Sequence, residues 1–575
     1  MNRRFMLIYG LIFVGFFVLL ARLFDIMVIK HDKFAKKSEN QRLAEVDVQV
    51  RRGVIVDRLG RRLTVNIENN SVYLDKGNYN ESDKRLQEVS GIIGVSYDEL
   101  SAHVRGKKNF VWLKRKIPIE ETDKLQEMKL SGIGITSEPK RNYLLGHMAA
   151  HVIGFVNIDN KGLEGVEAVY DKELIEAGGK YYIERDARGN IFYNTNENEK
   201  TGDTLTLTID QGLQFIVEKE LDDAMEKWRA SAATAIMMDP YTGEILALSN
   251  RPTFDPNEPG KYGPAARRNR AITDFYEPGS TFKVVTAAGV LEEGLVKPDD
   301  KIDCLGGAIE VGGKKIKDAH PHGVLTFMEV IQKSSNVGTI KLAQRLGKHR
   351  LYSYVKKFGF GEKTGIDLPG EISGRLRNPD RWSGVSIGAI PIGQEVAATP
   401  LQVVTAYSIV ANGGYRISPS VVKEIASAGN KTIPVNKKHS GSEQVISKKT
   451  VEILKTALMM VTQDGGTAKY ARVEGNLVAG KTGTAQIFDK SIGRYSPTDF
   501  ISSFVGFVPA DKPVFSMIVV VWKPRGEIYG GLVAAPVFKN IATKALTYLN
   551  VPKEDKVKNP TLVVENETFG KKAHD

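Results

Sequence analysis

The sequence predicts a mixed α/β protein in three parts: one apolar N-terminal helix, a smaller mixed β domain, and a large domain of mainly antiparallel sheet flanked by helices. Three observations predict it. Phe5 to Ala21 is a run of 17 uncharged, mainly apolar residues. The polar, acidic stretch NTNENEKTGD at 194–203 interrupts the pattern of a 575-residue chain. Beyond it, strand-like alternation and helix-like periodicity take turns, which places helices between the strands of one sheet.

The apolar run alone covers roughly 26 Å as a helix, close to the hydrocarbon thickness of a bilayer. No small-x-small cleavage site follows, since the next residues include Arg22, Phe24, Asp25 and Met27, so a retained anchor over 5–25 is expected. Arg3 and Arg4 ahead of it place residues 1–4 in the cytoplasm and the bulk of the chain outside the inner membrane, on the periplasmic side. Residues 30–45 are charged and helix-favouring, and 46–66 alternate apolar and polar residues around a turn at Leu59-Gly60. Residues 26–203 thus form a first domain, 204–550 a second domain and 551–575 a polar, lysine-rich tail. In the second domain TLTLTI is a strand, QGLQFIVEKELDDAMEKW a helix, and ATAIMMDPYTGEILALSN a hairpin turning at Asp239 to Gly243. SSFVGFVPA and PVFSMIVVVW are strands joined by a short turn. Helical periodicity covers Ser280 to Glu293, Thr326 to Arg345 and VFKNIATKALTYL.

Composition narrows the chemistry little. Hydrophobic residues make up 42% and charged residues 26%, as in ordinary globular proteins, and the net charge of +12 is spread along the chain, so it selects no nucleic-acid, membrane or polymer partner. A single cysteine, Cys304, rules out an internal disulfide framework and a multi-cysteine metal site, leaving cofactor-free chemistry as the default.

Four motifs carry more. Ser-x-x-Lys also occurs at Ser137/Lys140, Ser353/Lys356 and Ser420/Lys423, so only setting distinguishes Ser280 and Lys283. Pro278-Gly279 forces a turn, and Phe282, Val285, Ala288 and Leu291 then mark a helix on which Lys283 can reach the Ser280 hydroxyl. A plain N-cap is the alternative for Ser280, but a capping box wants Glu or Gln at 283. Lys-Thr-Gly occurs at 200–202, 363–365 and 481–483; only the third follows a strand-like segment and precedes small residues, so that a peptide can pair along Lys481, Thr482, Gly483 and Thr484 as an added strand. Gly475 to Thr482 also fits the phosphate-loop pattern G-x-x-x-x-G-K-[ST], which would make the chain an ATPase, but the residues after Thr482 start a helix poorly. Ser334-Ser335-Asn336 breaks two helical stretches and alone reads as a polar loop. His147 and His151 stand four apart without the glutamate of H-E-x-x-H, and a packed or solvated pair is expected.

The order Ser280-x-x-Lys283, Ser334-x-Asn336, Lys481-Thr-Gly483 matches the signature of penicillin-binding proteins and serine β-lactamases. With RRGVIVDRLG (51–60), HVIGFVNIDNKGLEGVE (151–167), IPIGQEVAATPLQ (390–402) and YGGLVAAPVF (529–538), the chain resembles the class B penicillin-binding proteins, most closely the division-type, FtsI-like peptidoglycan D,D-transpeptidases, over nearly all of 1–550. Leu59 replaces the family's usual asparagine. The resemblance implies a penicillin-binding/serine β-lactamase-like transpeptidase fold on a dimerisation-like pedestal, with no cofactor, metal or nucleic acid. It implies stem peptides ending in D-Ala-D-Ala as substrate, β-lactams as ligands, septal cell-wall synthesis, and an FtsW-type membrane glycosyltransferase and other division proteins as partners. By the same resemblance Ser280 is the nucleophile and Lys283 its base, provided burial and neighbouring Lys481 lower its pKa. Ser334 relays the proton, Asn336 holds the substrate amide, the amides of Ser280 and Thr484 form the oxyanion hole, and Lys481 with Thr482, Gly483 and Thr484 binds the substrate's carboxylate end. No E-x-x-L-N segment between Asn336 and Lys481 supplies a water-activating glutamate, which argues against a β-lactamase. A D,D-carboxypeptidase, a penicillin-binding sensor and an elongation- or sporulation-type transpeptidase remain alternatives.

Overall fold

The computed structural model describes residues 3–34, 43–46, 51–79, 85–175, 181–185, 191–192, 201–427, 432–435, 443–489, 491 and 493–553. The expected boundary stretch at 194–203 and the tail after 553 therefore lie largely outside the described residues. By contacts the chain falls into two units, Met1–Arg52 with Ile175–Gly202, and Gly53–Leu174 with the chain from Asp203 onward. In the first, helix α1 (Arg3–Phe24) continues as a π-helix over Asp25–Ile29, and Met6–Ile29 is long and apolar enough to cross a membrane. Arg22 and Lys30 both bind Asp25, at 2.9 and 2.6 Å, where that span ends. The same unit holds a small sheet of Leu43–Val46, Tyr181–Arg185 and Ile191–Phe192.

The second unit begins with strands β1 (Ile55–Val56) and β2 (Thr64–Asp75). Between them lies the expected turn, where Gly60 takes φ +81° and the buried Asp57 carboxylate receives the Leu59 and Arg61 amides, both at 2.9 Å. Leu59 itself is exposed, so its departure from the family's asparagine costs no packing. Helices α2 (Leu86–Ile93) and α3 (Tyr97–Arg105), strand β3 (Phe110–Ile117), helix α4 (Ile119–Met128) and strand β4 (Ile133–Tyr143) follow. They form an antiparallel sheet of order β3-β2-β4 whose inward residues, Val72, Leu74, Leu113 and Ile117, share a small core with Val89, Ile93 and Leu100 of the helices. Farther on, Arg141 donates to the Glu167 carboxylate at 2.7 Å and to the Gly53 carbonyl at 2.7 Å, with both side chains buried.

Strand β5 (Thr204–Leu207) pairs in parallel with β1 and antiparallel with β8 (Val422–Ala426), so strands from before and after residue 203 share one sheet. Helix α5 (Gln211–Trp228) has the predicted span, opened by Asp210, whose carboxylate accepts the Gly212 amide at 2.7 Å. The predicted hairpin is β6 (Ala232–Met238) and β7 (Ile245–Arg251), turning on Asp239 and on Gly243 at φ +78°. The main sheet has order β7-β6-β11-β10-β9, with β9 (Ala479–Asp489), β10 (Arg494–Val508) and β11 (Phe515–Trp522) antiparallel throughout. Every residue of β6, β7 and helix α9 (Pro400–Ala411) is buried, and β6 and the first half of β7 accordingly lack the polar alternation of a half-exposed strand. Helix α10 (Lys448–Thr462) precedes β9, and the last helix among the described residues, α11, spans Gly530–Tyr548 and starts seven residues before the periodicity in VFKNIATKALTYL. Gly530, Gly531 and Pro536, all poor helix formers, hide its first turns from the sequence.

Candidate active site

The predicted nucleophile sits on a turn made possible by two glycines. Gly279 takes φ +56° and donates its amide to the Gly393 carbonyl at 3.2 Å, while a Cβ on Gly393 would lie 2.2 Å from the Gly279 oxygen. Residues Gly279–Phe282 form a 3-10 turn that runs directly into helix α6 (Lys283–Glu292). In a 3-10 turn residues three apart eclipse one another, which suits the Ser-x-x-Lys spacing. Buried Phe282 packs on Phe360 at 5.0 Å between ring centres, and Tyr407 Oη donates to the Thr281 carbonyl at 2.9 Å. Ser280 stays partly exposed, whereas Lys283 is wholly buried.

The second motif closes around that lysine. Lys283 Nζ donates to Ser334 O at 2.6 Å, Asn336 Oδ1 at 2.7 Å and Ser334 Oγ at 3.2 Å. Ser334 occupies the left-handed region at φ +60°, a conformation that costs a non-glycine residue about 1–3 kcal/mol and persists only where the surroundings impose it. They do so here: Ser335 caps helix α8 (Asn336–Leu346) by accepting the Gly338 amide at 3.0 Å, and the Asp318 carboxylate accepts Ser335 Oγ at 2.8 Å, the Val337 amide at 3.0 Å and the Asn336 amide. Asn336 Nδ2 donates to Lys317 O at 2.8 Å. The helix before this break, α7 (Phe327–Gln332), opens with a Thr326–Glu329 capping box. Neither Ser335 nor Asp318 was identifiable from the sequence, because Asp318 acts on a helix start 18 residues away.

The third motif lies on β9, the edge of the main sheet. A Cβ on Gly483 would come within 2.4 Å of Ser503 Oγ and 3.0 Å of Pro278 O, and the Cβ position of Gly279 is 3.4 Å from Thr484 O. Glycine at 483 therefore lets the strand approach the Ser280 turn. Lys481 is buried, with Nζ 3.4 Å from Thr482 Oγ1, which in turn meets Thr467 Oγ1 at 3.1 Å. Thr484 Oγ1 accepts the Gly530 amide at 3.1 Å, tying β9 to the start of α11. Glu277, three residues before Ser280, receives the Tyr495 hydroxyl at 2.9 Å and the Glu395 amide at 2.9 Å, which fastens the serine turn to β10. The predicted site residues thus converge.

Burial pushes Lys283 down to about 7, against the opposing charge of Asp318. Lys481 is pushed well below the usual lysine range by burial and then by the charge of Lys283. Both lysines are thus held low mainly by burial, and their charges oppose one another across the site. The remaining motif copies have other settings. Thr364 and Gly365 of the middle Lys-Thr-Gly donate their amides to Glu371 at 2.7 and 3.1 Å in a loop. Strand, not helix, follows Lys481-Thr482, so the phosphate-loop match lacks the helix N-terminus it needs. His151 is buried against Phe254 with Nε2 2.8 Å from Ala266 O, and burial brings its pKa down to about 4; His147 faces Glu218 at 3.7 Å.

Residues 233–543 match the penicillin binding protein transpeptidase domain, and residues 47–207 match the penicillin-binding protein dimerisation domain. The chain is 35% identical over 566 residues to stage V sporulation protein D of Bacillus subtilis, covering 96% of this chain and 86% of that one. It is 32% identical over 557 residues to peptidoglycan D,D-transpeptidase FtsI of Escherichia coli K12, covering 95% and 92%. Among solved structures, penicillin binding protein 3 from Mycobacterium tuberculosis complexed with aztreonam aligns with a TM-score of 0.70 at 30% identity, over 88% of this chain and 97% of that one.

Proposed function

The chain belongs to the penicillin-binding protein transpeptidase family, and from that premise we propose that it is a peptidoglycan D,D-transpeptidase working through an acyl-enzyme on Ser280. Ser280 Oγ attacks the carbonyl of the penultimate D-Ala of a stem peptide while its proton passes to Lys283 Nζ. The C–N bond to the terminal D-Ala then breaks, and the leaving amine takes a proton by way of Ser334. An amine of a neighbouring strand attacks the ester, forms the cross-link amide and returns the serine. β-Lactams acylate the same hydroxyl.

The observation that carries this reading is the grip on Lys283: a buried amine held by Ser334 and Asn336 one turn from Ser280, with its pKa brought down to about 7. A base at that value is matched to neutral pH and contributes about 10² to 10⁴ in rate. The Thr484 carbonyl faces Gly279, and a strand residue projects its N–H and C=O to the same side, so the Thr484 amide is available beside Ser280 as an oxyanion donor. Such a donor contributes about 10² to 10³. A substrate carboxylate bound beside Lys481 restores that lysine's proton. In a fluorescent-penicillin gel, Ser280→Ala abolishes labelling; labelling that survives the change refutes the nucleophile.

Met6–Ile29 anchors the chain in the inner membrane, with the N-terminus cytoplasmic and the catalytic domain outside; release from membranes by alkaline wash would contradict this. The biological setting we propose is septal wall synthesis with an FtsW-type glycosyltransferase, on the strength of the FtsI relative. The sporulation relative, at 35% identity, favours a second setting in spore formation. Depletion separates them: filamentous cells support septation, and normal growth with defective spores supports the other.

A further inference from the structure

One face of the β3-β2-β4 sheet carries a set of aromatic rings that no step of the proposed reaction uses. Alternation along β2 turns Val72 and Leu74 into the small core and Tyr73 to the other face, where it pairs with Trp112 on β3 and with Gly134 on β4. Phe110, two residues before Trp112, shares this face and is 49% exposed. Tyr73 and Phe110 stack with centroids 5.0 Å apart at 29°, and Trp112 stands edge-on to them at 6.1 and 5.0 Å. A Cβ on residue 134 would lie 2.2 Å from Tyr73 Cζ, so the glycine lets the tyrosine ring lie flat over the β4 backbone. The Arg115 guanidinium sits 5.2 Å from the Trp112 ring centre and is itself fixed by Glu138 at 2.7 Å and Asp159 at 2.6 Å. The platform is therefore held rigidly from beneath and from one side. At its other side the turn from α3 to β3 presents Arg105, Lys107 and Lys108, all exposed. Lys76 folds onto this turn, its amide meeting Asn109 O at 2.8 Å, and the adjacent Asp75 carboxylate is occupied by Gly77 N and Asn78 Nδ2 at 3.0 and 2.9 Å.

We propose that this platform is a second binding site for un-cross-linked peptidoglycan strands, with a sugar ring laid on exposed Phe110 and the free edges of Tyr73 and Trp112, and stem-peptide carboxylates facing Arg105, Lys107 and Lys108. The inference rests on the transpeptidase reading. A pyranose ring presents C–H bonds on its flat face and hydroxyls around its rim, which suits an aromatic surface whose π-face is electron-rich. Phe110 is exposed with Tyr73 and Trp112 half-buried beside it, and adjoining aromatic area of this kind marks an interaction surface more often than a scatter of single rings does. The cationic rim complements a polymer that carries a carboxylate on every uncross-linked stem. A strand held here has its second engagement, at Ser280, made intramolecular.

The test uses the full-length protein in detergent with its cleft already acylated by benzylpenicillin, so that only the second site is free. The probe is a soluble glycan strand with intact stem peptides, compared with the same strand after amidase removal of the peptides and with anionic lipid vesicles. Phe110→Ser and Trp112→Ala weaken binding of both strand forms about tenfold or more, a change of about 1.4 kcal/mol. Lys107→Glu with Lys108→Glu weakens only the peptide-bearing form. Penicillin acylation and the unfolding midpoint stay at wild-type values in each variant; if Trp112→Ala lowers the midpoint, exposed Phe110→Ser alone decides. Wild-type strand affinity in the ring variants overturns the proposal, as does binding to vesicles in place of strands. Failure of the underlying transpeptidase reading would show separately, as penicillin labelling that persists in Ser280→Ala.

Discussion

The pH dependence of acylation tests the catalytic assignment most directly. With Lys283 near 7, the neutral, proton-accepting form is about 9% of the site at pH 6, about 50% at pH 7 and about 91% at pH 8. The second-order rate constant for acylation by a β-lactam, followed by stopped-flow with a fluorescent penicillin, is expected to rise about tenfold from pH 6 to pH 8 with the slope of one proton. The sign follows from the physics: burial disfavours the ammonium form, so the lysine gives up its proton below the usual lysine range, and rate is gained as pH rises through the depressed value. Asp318→Asn sharpens the test. The Asp318 charge opposes the effect of burial, so its removal moves the midpoint to lower pH, whatever happens to the plateau when Asn336 and Val337 lose their acceptor. A rate that is flat between pH 6 and pH 8 in the wild type refutes Lys283 as the base. A midpoint unmoved in the variant, with only the plateau lowered, would reduce Asp318 to a structural role.

Other perturbations have definite outcomes. Lys283→Arg keeps a cation that cannot be deprotonated, and acylation falls by about 10² to 10⁴ at every pH between 6 and 8, measured by the same assay. Gly393→Ala puts a methyl group 2.2 Å from the Gly279 oxygen at φ +78°, which should cost about 3 kcal/mol or more in a denaturant titration and slow acylation by displacing the serine turn. Arg141→Ala leaves Glu167 charged and buried, a loss of about 3–5 kcal/mol by calorimetry, and pairing it with Glu167→Gln should recover part of that loss.

The elements that the sequence disclosed are those with a local signal. Helix α5 begins on Asp210 and ends on a full apolar period, and the β6–β7 hairpin turns at Gly243 as its Asp-Pro-x-x-Gly reads. Order and setting, not any one pattern, single out Ser280, Lys283, Ser334, Asn336 and Lys481, which the structure brings together. What stayed hidden depends on partners remote in the chain. Asp318 holds a helix start from just beyond the strand Lys314–Lys317, Glu277 is joined by Tyr495 across 218 residues, and glycine is required at 530 because a Cβ there would meet the Ser503 and Gly483 carbonyls.

The strand order of the main sheet also dictates when this protein can fold. β11 lies between β6 and β10, yet it is synthesised about 280 residues after β6. At bacterial elongation rates of roughly 5–20 residues per second the β6–β7 hairpin waits for roughly 14–55 s with one wholly apolar strand edge unpaired. Such an edge is a template for wrong partners, so mispairing at residues 232–238 is the hazard of that interval.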